Sequence, residues 1–202
     1  MPSITNRIGR FADRIGRVGR VGRPFRQLID EGILDRAAAL FAQHGFAQTS
    51  LKSLADAVGL SKAGLLHHYP SKEALYDAAH AVSRERARQV RDQVTALTPG
   101  PGRDRRALEL LVDVALERPG LVALAFSSVT TPESHAAALE EDDLLVFEMF
   151  AVDLADPEPE RLIRVIGALG ALAVLSLSVH QVGDRTTWRP RIVATCVDAL
   201  GH

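Results

Sequence analysis

The stretch TSLKSLADAVGLSKAGLLHHYPSKEAL, Thr49–Leu75, decides the fold. Leu51, Leu54, Ala55 and Val58 recur at helical spacing over only two turns, which predicts a short amphipathic helix. Gly59 follows, at a point where a tight turn demands a positive φ that side chains disfavour. Ser61 then stands where an N-cap is needed, because its hydroxyl can accept from the free N–H groups of a second short helix that ends before Pro70. Ser71 offers the same cap to a long helix opening at Lys72.

Upstream, Ile33, Ala37, Leu40 and Phe41 fall on one helical face, and Gly45 is a C-terminal stop. A helix, a two-turn helix, a glycine turn and another short helix form the layout of a three-helix DNA-binding head. Helices this short are not stable alone. They must bury Ile33, Phe41, Leu51, Leu54, Val58, Leu60 and Leu65 against one another. A helical bundle with an ordinary turn satisfies the same pattern, and spacing alone does not choose between them.

Downstream, prolines and glycines divide the chain into lengths with helical apolar spacing. Helices are predicted at about 71–97, 103–117, 120–130, 133–155, 159–182 and 187–200. No segment alternates apolar and polar residues as a half-buried strand would. The expected fold is therefore all-α, with about nine helices. Its expected organisation is an arginine-rich arm at 1–24, a helix-turn-helix head at 25–75 and a helical ligand-binding and dimerisation domain at 76–202.

Composition agrees. Of 202 residues, 47% are hydrophobic and 24% charged, which suits a packed soluble fold. Cys196 is the only cysteine and has no internal partner, which fits a reducing cytoplasm. A small buried apolar role is its plainest reading. The first residues lack the apolar region and cleavage site of a secretory signal. The most apolar run, Val165–Val179, is shorter than the ~20 residues of a membrane span and reads as a buried interface helix, with no membrane expected. Residues 1–80 carry eleven Lys/Arg against seven Asp/Glu, whereas 81–202 carry thirteen against eighteen. A basic front and an acidic back suggest that only the front meets a polyanion.

The segment Thr49–Leu75, extended back through LFAQHGF (Leu40–Phe46), resembles the DNA-binding head of the TetR family of regulators. The alanine-x-x-valine-glycine core, the serine cap, the paired histidines, the aromatic and the SK pair occur in register. The resemblance implies that the helix at 51–57 supports and that the helix at 62–67 enters the major groove. It implies that Thr49 and Ser50 meet a phosphate near a helix N-terminus. Ser61, Lys62, Ala63 and Gly64 would open the recognition helix, and Leu66, His67, His68 and Tyr69 would close it. Lys72 would grip a backbone phosphate; such contacts fix position, while base edges give sequence preference. Family members often carry Thr where this chain has Gly64 and Tyr where it has Leu66. Those two changes bear on base reading, Leu66 packing inward or touching a thymine methyl.

The family further implies a homodimer on double-stranded palindromic operator DNA, released by a small, largely apolar effector, with repression the usual mode. The last two helices would pair with their copies. Leu162, Val165, Ile166 and Leu169 on one, with Ile192, Val193 and Val197 on the other, are the expected interface; an internal core face is the alternative. Phe126, Phe147, Met149, Phe150, His180 and Trp188 supply bulk and polar handles for a pocket, though aromatics at helical spacing also serve as plain core. No cofactor is expected. Metal binding at His67 and His68 is disfavoured because no carboxylate or cysteine stands at ligand spacing.

Arg7, Arg10, Arg14, Arg17, Arg20, Arg23 and Arg26 recur every three or four residues. Gly9, Gly16, Gly19 and Gly22 oppose a helix there at about 1 kcal/mol each. A DNA-binding tail, an inert extension and a membrane-surface segment all fit this arm. The acidic run Glu140–Asp143 reads as a solvated face. Ser176, Ser178, His180 and Asp184 are close in sequence, but no G-x-S-x-G elbow accompanies them, so no enzyme is expected. A ligand-binding helical protein with degenerate DNA recognition and a membrane-surface helical protein are the competing classes.

Overall fold

In the computed structural model, residues 22–130, 144–180 and 185–201 are described, with side chains described for 30–127, 144–179 and 186–201. Among them every regular element is a helix. The order is α1 (Gly22–His44), α2 (Leu51–Val58), α3 (Lys62–His68), α4 (Lys72–Val94), α5 (Pro101–Glu117), α6 (Pro119–Thr130), α7 (Leu145–Met149), α8 (Pro159–His180) and α9 (Arg185–Leu200). The chain divides into residues 1–32 and 33–202. Of the first unit, only the opening turns of α1 are described; residues 1–21 of the arginine-rich stretch and the acidic run Glu140–Asp143 lie outside the described residues.

The second unit holds two apolar cores. The first gathers Ile33, Leu34, Ala37 and Phe41 of α1, Leu54 of α2, Leu65 of α3 and Leu75 and Ala79 of α4, with Leu121 and Leu124 of α6 joining them. The second gathers one face each of α5, α8 and α9 around α7, and takes in Val90 and Val94 from the far end of α4. Helix α4 therefore belongs to both, and α6 reaches the second through Val122 and Phe126, which pack against it. Each helix supplies a stripe of apolar residues at three- and four-residue spacing, so burial on one face holds it in place.

The ends are fixed as their sequences require. Gly45 and Gly59 adopt φ of 77° and 76°, the left-handed conformation that closes α1 and α2. Ser50, Ser61 and Ser71 accept from the N–H groups of Ser53, Gly64 and Ala74 and cap α2, α3 and α4. In α5, Arg103 is buried and donates to the carbonyl oxygens of Met149 (2.9 Å) and Glu148. Its neighbour Asp104 pairs with Arg161 of α8 at 2.7 Å, and Arg161 also donates to the Phe150 carbonyl at 2.8 Å. These bonds stitch the start of α5 to the end of α7 and the start of α8.

One expectation fails. Of the helix expected over 133–155, residues 133–143 lie outside the described residues, and the described part stops at Met149 instead of reaching 155. Ala151 turns to φ 52°, and the N–H of Val152 returns to the Phe147 carbonyl at 3.1 Å. The Arg103 guanidinium occupies carbonyls of that last turn, and Asp153 then accepts from the Ala155 N–H in a local turn. A buried partner 46 residues upstream in sequence decides where the helix ends, and no local pattern reveals it.

Helix α8 also departs from the sequence reading. Its apolar part spans Pro159–Val179 and is, by length and composition, long enough to cross a membrane. One edge of it, Val165, Ala168 and Leu172, is buried in the second core.

Candidate nucleic-acid interface and internal cavity

Helix α3 is held from below and open above. Leu65 is fully buried, whereas Ser61, Lys62, Ala63 and His67 are exposed. Leu66, His68 and Tyr69 are half-buried, and Tyr69 packs against the first core. The His67 and His68 rings meet edge to face at 6.0 Å. Gly64 lies beside the Ser61 cap; a Cβ there would come within 3.2 Å of the Ser61 hydroxyl. The bare backbone at Gly64 thus leaves the cap undisturbed and the N-terminal turn of α3 slim.

Two residues assigned to phosphates by resemblance are occupied within the head. Thr49 is only 3% exposed; its hydroxyl donates to the Gly45 carbonyl at 2.7 Å and its N–H to the Phe46 carbonyl at 3.3 Å. Lys72 donates to the carbonyls of Phe46 (2.9 Å) and Thr49 (3.1 Å), with its ammonium 4.1 Å from the centre of the Phe46 ring. Both residues fasten the loop between α1 and α2. Ser50 remains at the surface. It forms a reciprocal cap with Ser53, each accepting from the other's backbone N–H at 3.0–3.1 Å.

Above the head, a cavity of about 100 Å³ opens between α4, α5, α6, α7 and α8. One water needs roughly 10–15 Å³ of such space, so the cavity admits a small organic molecule. Phe126, Phe147 and Met149 line it as expected. Phe150 does not; it is buried in the second core. Trp188 does not either, and lies half-buried with the Arg191 guanidinium 5.8 Å from its ring. The side chain of His180 and all of Asp184 lie outside the described residues.

The sequence reading missed the polar wall. His80, Ser83, Arg84 and Arg86 of α4 border the cavity. Their signal was a set of polar residues on the inward face of a long helix that opens at Lys72. The Phe126 ring approaches the bare Gly170 of α8, where a Cβ would stand 3.2 Å from Cζ.

Most residues of the expected pairing surface lie inside the chain's own fold. Val165, Leu169, Ile192, Val193 and Val197 are buried in the chain's own core, Ile166 borders the cavity, and Leu162 is half-buried. Side chains already enclosed by their own fold cannot offer area to a second copy. The outward face of α8 instead carries Ile163, Gly167 and Val174, with Ala194 and Thr195 exposed on α9. Among the enzyme candidates, Ser176 is buried and the Ser178 hydroxyl donates to the Val174 carbonyl at 2.9 Å. Among the described residues no group of three metal-ligating side chains occurs.

Residues 33–79 match the family model for bacterial regulatory proteins, tetR family. The HTH-type transcriptional repressor KstR2 of Rhodococcus jostii is 44% identical over 45 residues, 22% of this chain and 22% of that protein. The HTH-type transcriptional regulator RutR of Escherichia coli is 48% identical over 48 residues, 24% of this chain and 23% of that protein. The chain thus spans under a quarter of the length of these curated relatives. The TetR-like transcriptional regulator LfrR from Mycobacterium smegmatis has the same fold over 87% of this chain and 98% of its own, with a TM-score of 0.60 at 17% identity. The capped head is thus matched in sequence by the tetR family model, and the helical body shares the fold of a TetR-like regulator.

Proposed function

We propose that the chain is a ligand-responsive repressor of transcription that binds a palindromic operator as a homodimer and releases it when a small molecule fills the cavity. The observation that carries this reading is α3: Leu65 anchors one face while Lys62, Ala63 and His67 stand exposed on the other. A slim, basic helix start is what the major groove admits. Lys62 and the open N–H groups behind Ser50 would meet phosphates, and the backbone at Gly64 would come close to base edges.

Two heads read a palindrome when their recognition helices lie one helical turn apart, about 34–36 Å. Pairing through the outward face of α8 would set that spacing. Ile163 is 69% and Val174 61% exposed, so this face of α8 has apolar side chains to offer a partner. Ligand control arises if the effector prefers the form whose heads are wrongly spaced; that difference in affinity alone sets the loss of DNA binding. Helices α4 and α6 would carry the change, since each borders both the cavity and the first core.

The test is fluorescence anisotropy of the purified protein on the promoter DNA beside its gene, at several salt concentrations. Saturable binding that tightens on one palindromic segment is expected. Equal, weak binding to every duplex would remove the regulator assignment.

A further inference from the structure

The cavity also carries a sign. Among its described lining residues the ionisable ones are His80, Arg84 and Arg86, all basic and all on α4. His80 and Arg84 are four residues apart and so share one helical face. The Nε2 of His80 and the Nε of Arg84 are both shielded from solvent, and His80 as a whole is only 8% exposed. Ser83, between them, spends its hydroxyl proton on the Leu121 carbonyl at 3.2 Å. The remaining walls are apolar, with Leu111, Phe126, Met149 and Leu172 on the sides away from α4.

From this asymmetry we infer that the effector is an anionic amphiphile: one carboxylate or phosphate head held at the His80–Arg84 wall, on an apolar body packed among Phe126, Met149 and Leu172. The inference rests on the cavity being the effector site. Low-dielectric walls strengthen whatever charge lines them, so a basic wall attracts an anion and repels a cation. The planar guanidinium of Arg84 matches the two oxygens of a carboxylate or phosphate in a way no neutral head does. A neutral molecule of the same shape would gain the apolar burial but not the head contact. A carboxylic acid and a phosphate monoester share this chemistry and are separated by experiment.

Calorimetric titration of the full chain with decanoate, decyl phosphate, methyl decanoate and decyltrimethylammonium tests the inference. One or both anions are expected to bind at least tenfold more tightly than the ester and the ammonium, and the tighter of the two identifies the head. Arg84→Gln is expected to cost that anion at least tenfold while leaving methyl decanoate within twofold, and Arg84→Lys to fall between. Val122→Trp, which fills the cavity from α6, is expected to abolish binding of all four. Ester or ammonium binding as tight as the anions, an unchanged anion affinity in Arg84→Gln, or anion binding that survives Val122→Trp would each overturn it. If Arg84→Gln melts early, the anion-to-ester ratio of the unaltered protein decides. Operator affinity followed in parallel separates the two proposals. Anion binding with no change in DNA affinity leaves this inference standing and sinks ligand control, whereas specific DNA binding with no anion preference sinks this inference alone.

Discussion

The carboxylate of Asp35 on α1 accepts from the backbone N–H of Gly120 at 2.9 Å and from that of Leu121 at 3.1 Å, and so caps the first turn of α6 from another helix. Pro119 has no N–H to satisfy, which leaves these two as the donors the cap must serve. The negative charge also lies at the positive end of the helix dipole. The approach is close enough that a Cβ on Gly120 would stand 1.9 Å from the Asp35 carbonyl oxygen. The same short contact joins the first core to a helix that borders the cavity.

Substitutions at this junction should therefore separate cap from packing. Asp35→Ala removes an acceptor for two N–H groups and is expected to cost about 1–2 kcal/mol, read as a fall in melting temperature. Asp35→Asn keeps an acceptor oxygen and should recover most of that loss. Gly120→Ala forces two helix backbones apart and is expected to cost about 2–3 kcal/mol, as other overpacked sites do. A Gly120→Ala variant that melts like the parent would show that the two backbones do not approach this closely.

Lys62 and Lys72 should behave oppositely although both lie in the head. Lys72 holds two loop carbonyls, so Lys72→Met is expected to destabilise the fold by about 1–3 kcal/mol. It should change DNA affinity through folding and leave the salt slope intact. Lys62 is exposed at the start of α3, so Lys62→Met should leave the melt unchanged and lower the slope of log affinity against log salt by about 1. Thermal melts and anisotropy at several salt concentrations check both. A slope that falls in the Lys72 variant would return that residue to the phosphate.

The head was legible because its determinants are local. Ser61, Ser71, Gly45 and Gly59 act within four residues of themselves, and every one of them closes or opens a helix where the sequence placed it, whereas the cap at Ser50 was not read. The all-helical body was legible from apolar spacing for the same reason. What escaped depends on partners distant in sequence. Arg103 ends α7 from 46 residues away, Lys72 turns inward to carbonyls 23 and 26 residues back, and Asp35 caps a helix 85 residues on. The side of α8 that faces inward was misjudged because the helix is apolar nearly all round. Periodicity then cannot say which face its own chain covers.

Cys196 is buried, and desolvation pushes its thiol up to about 11 from 9.0. The thiolate is the reactive form, so the native protein at pH 8 should resist a thiol-directed reagent that labels the denatured chain within minutes. Burial also fixes the sign of the effect on stability. The folded state favours the protonated thiol more than the unfolded state does, so this contribution is intact below pH 9 and fades as pH rises through about 11. Cys196→Ala should flatten that alkaline limb of the melting curve. Rapid native labelling at pH 8 would contradict the burial.

The proposed pairing through the outward face of α8 separates interface from core on one helix. Ile163 and Val174 point outward from α8, whereas Val165 between them points into the second core with no exposure. A charge at an outward apolar position is costly only when a partner covers it, because in water the same side chain is well solvated. Ile163→Arg with Val174→Asp should therefore leave the monomer's helical spectrum intact, convert a sedimenting dimer to a monomer and abolish tight operator binding, since one head reads half a palindrome. Val165→Ala should do the reverse: it opens a cavity worth about 1–3 kcal/mol, lowers the melting temperature and leaves the dimer in place. An outward double variant that still sediments as a dimer would move the pairing surface off α8, and the spacing of the heads would then need another origin.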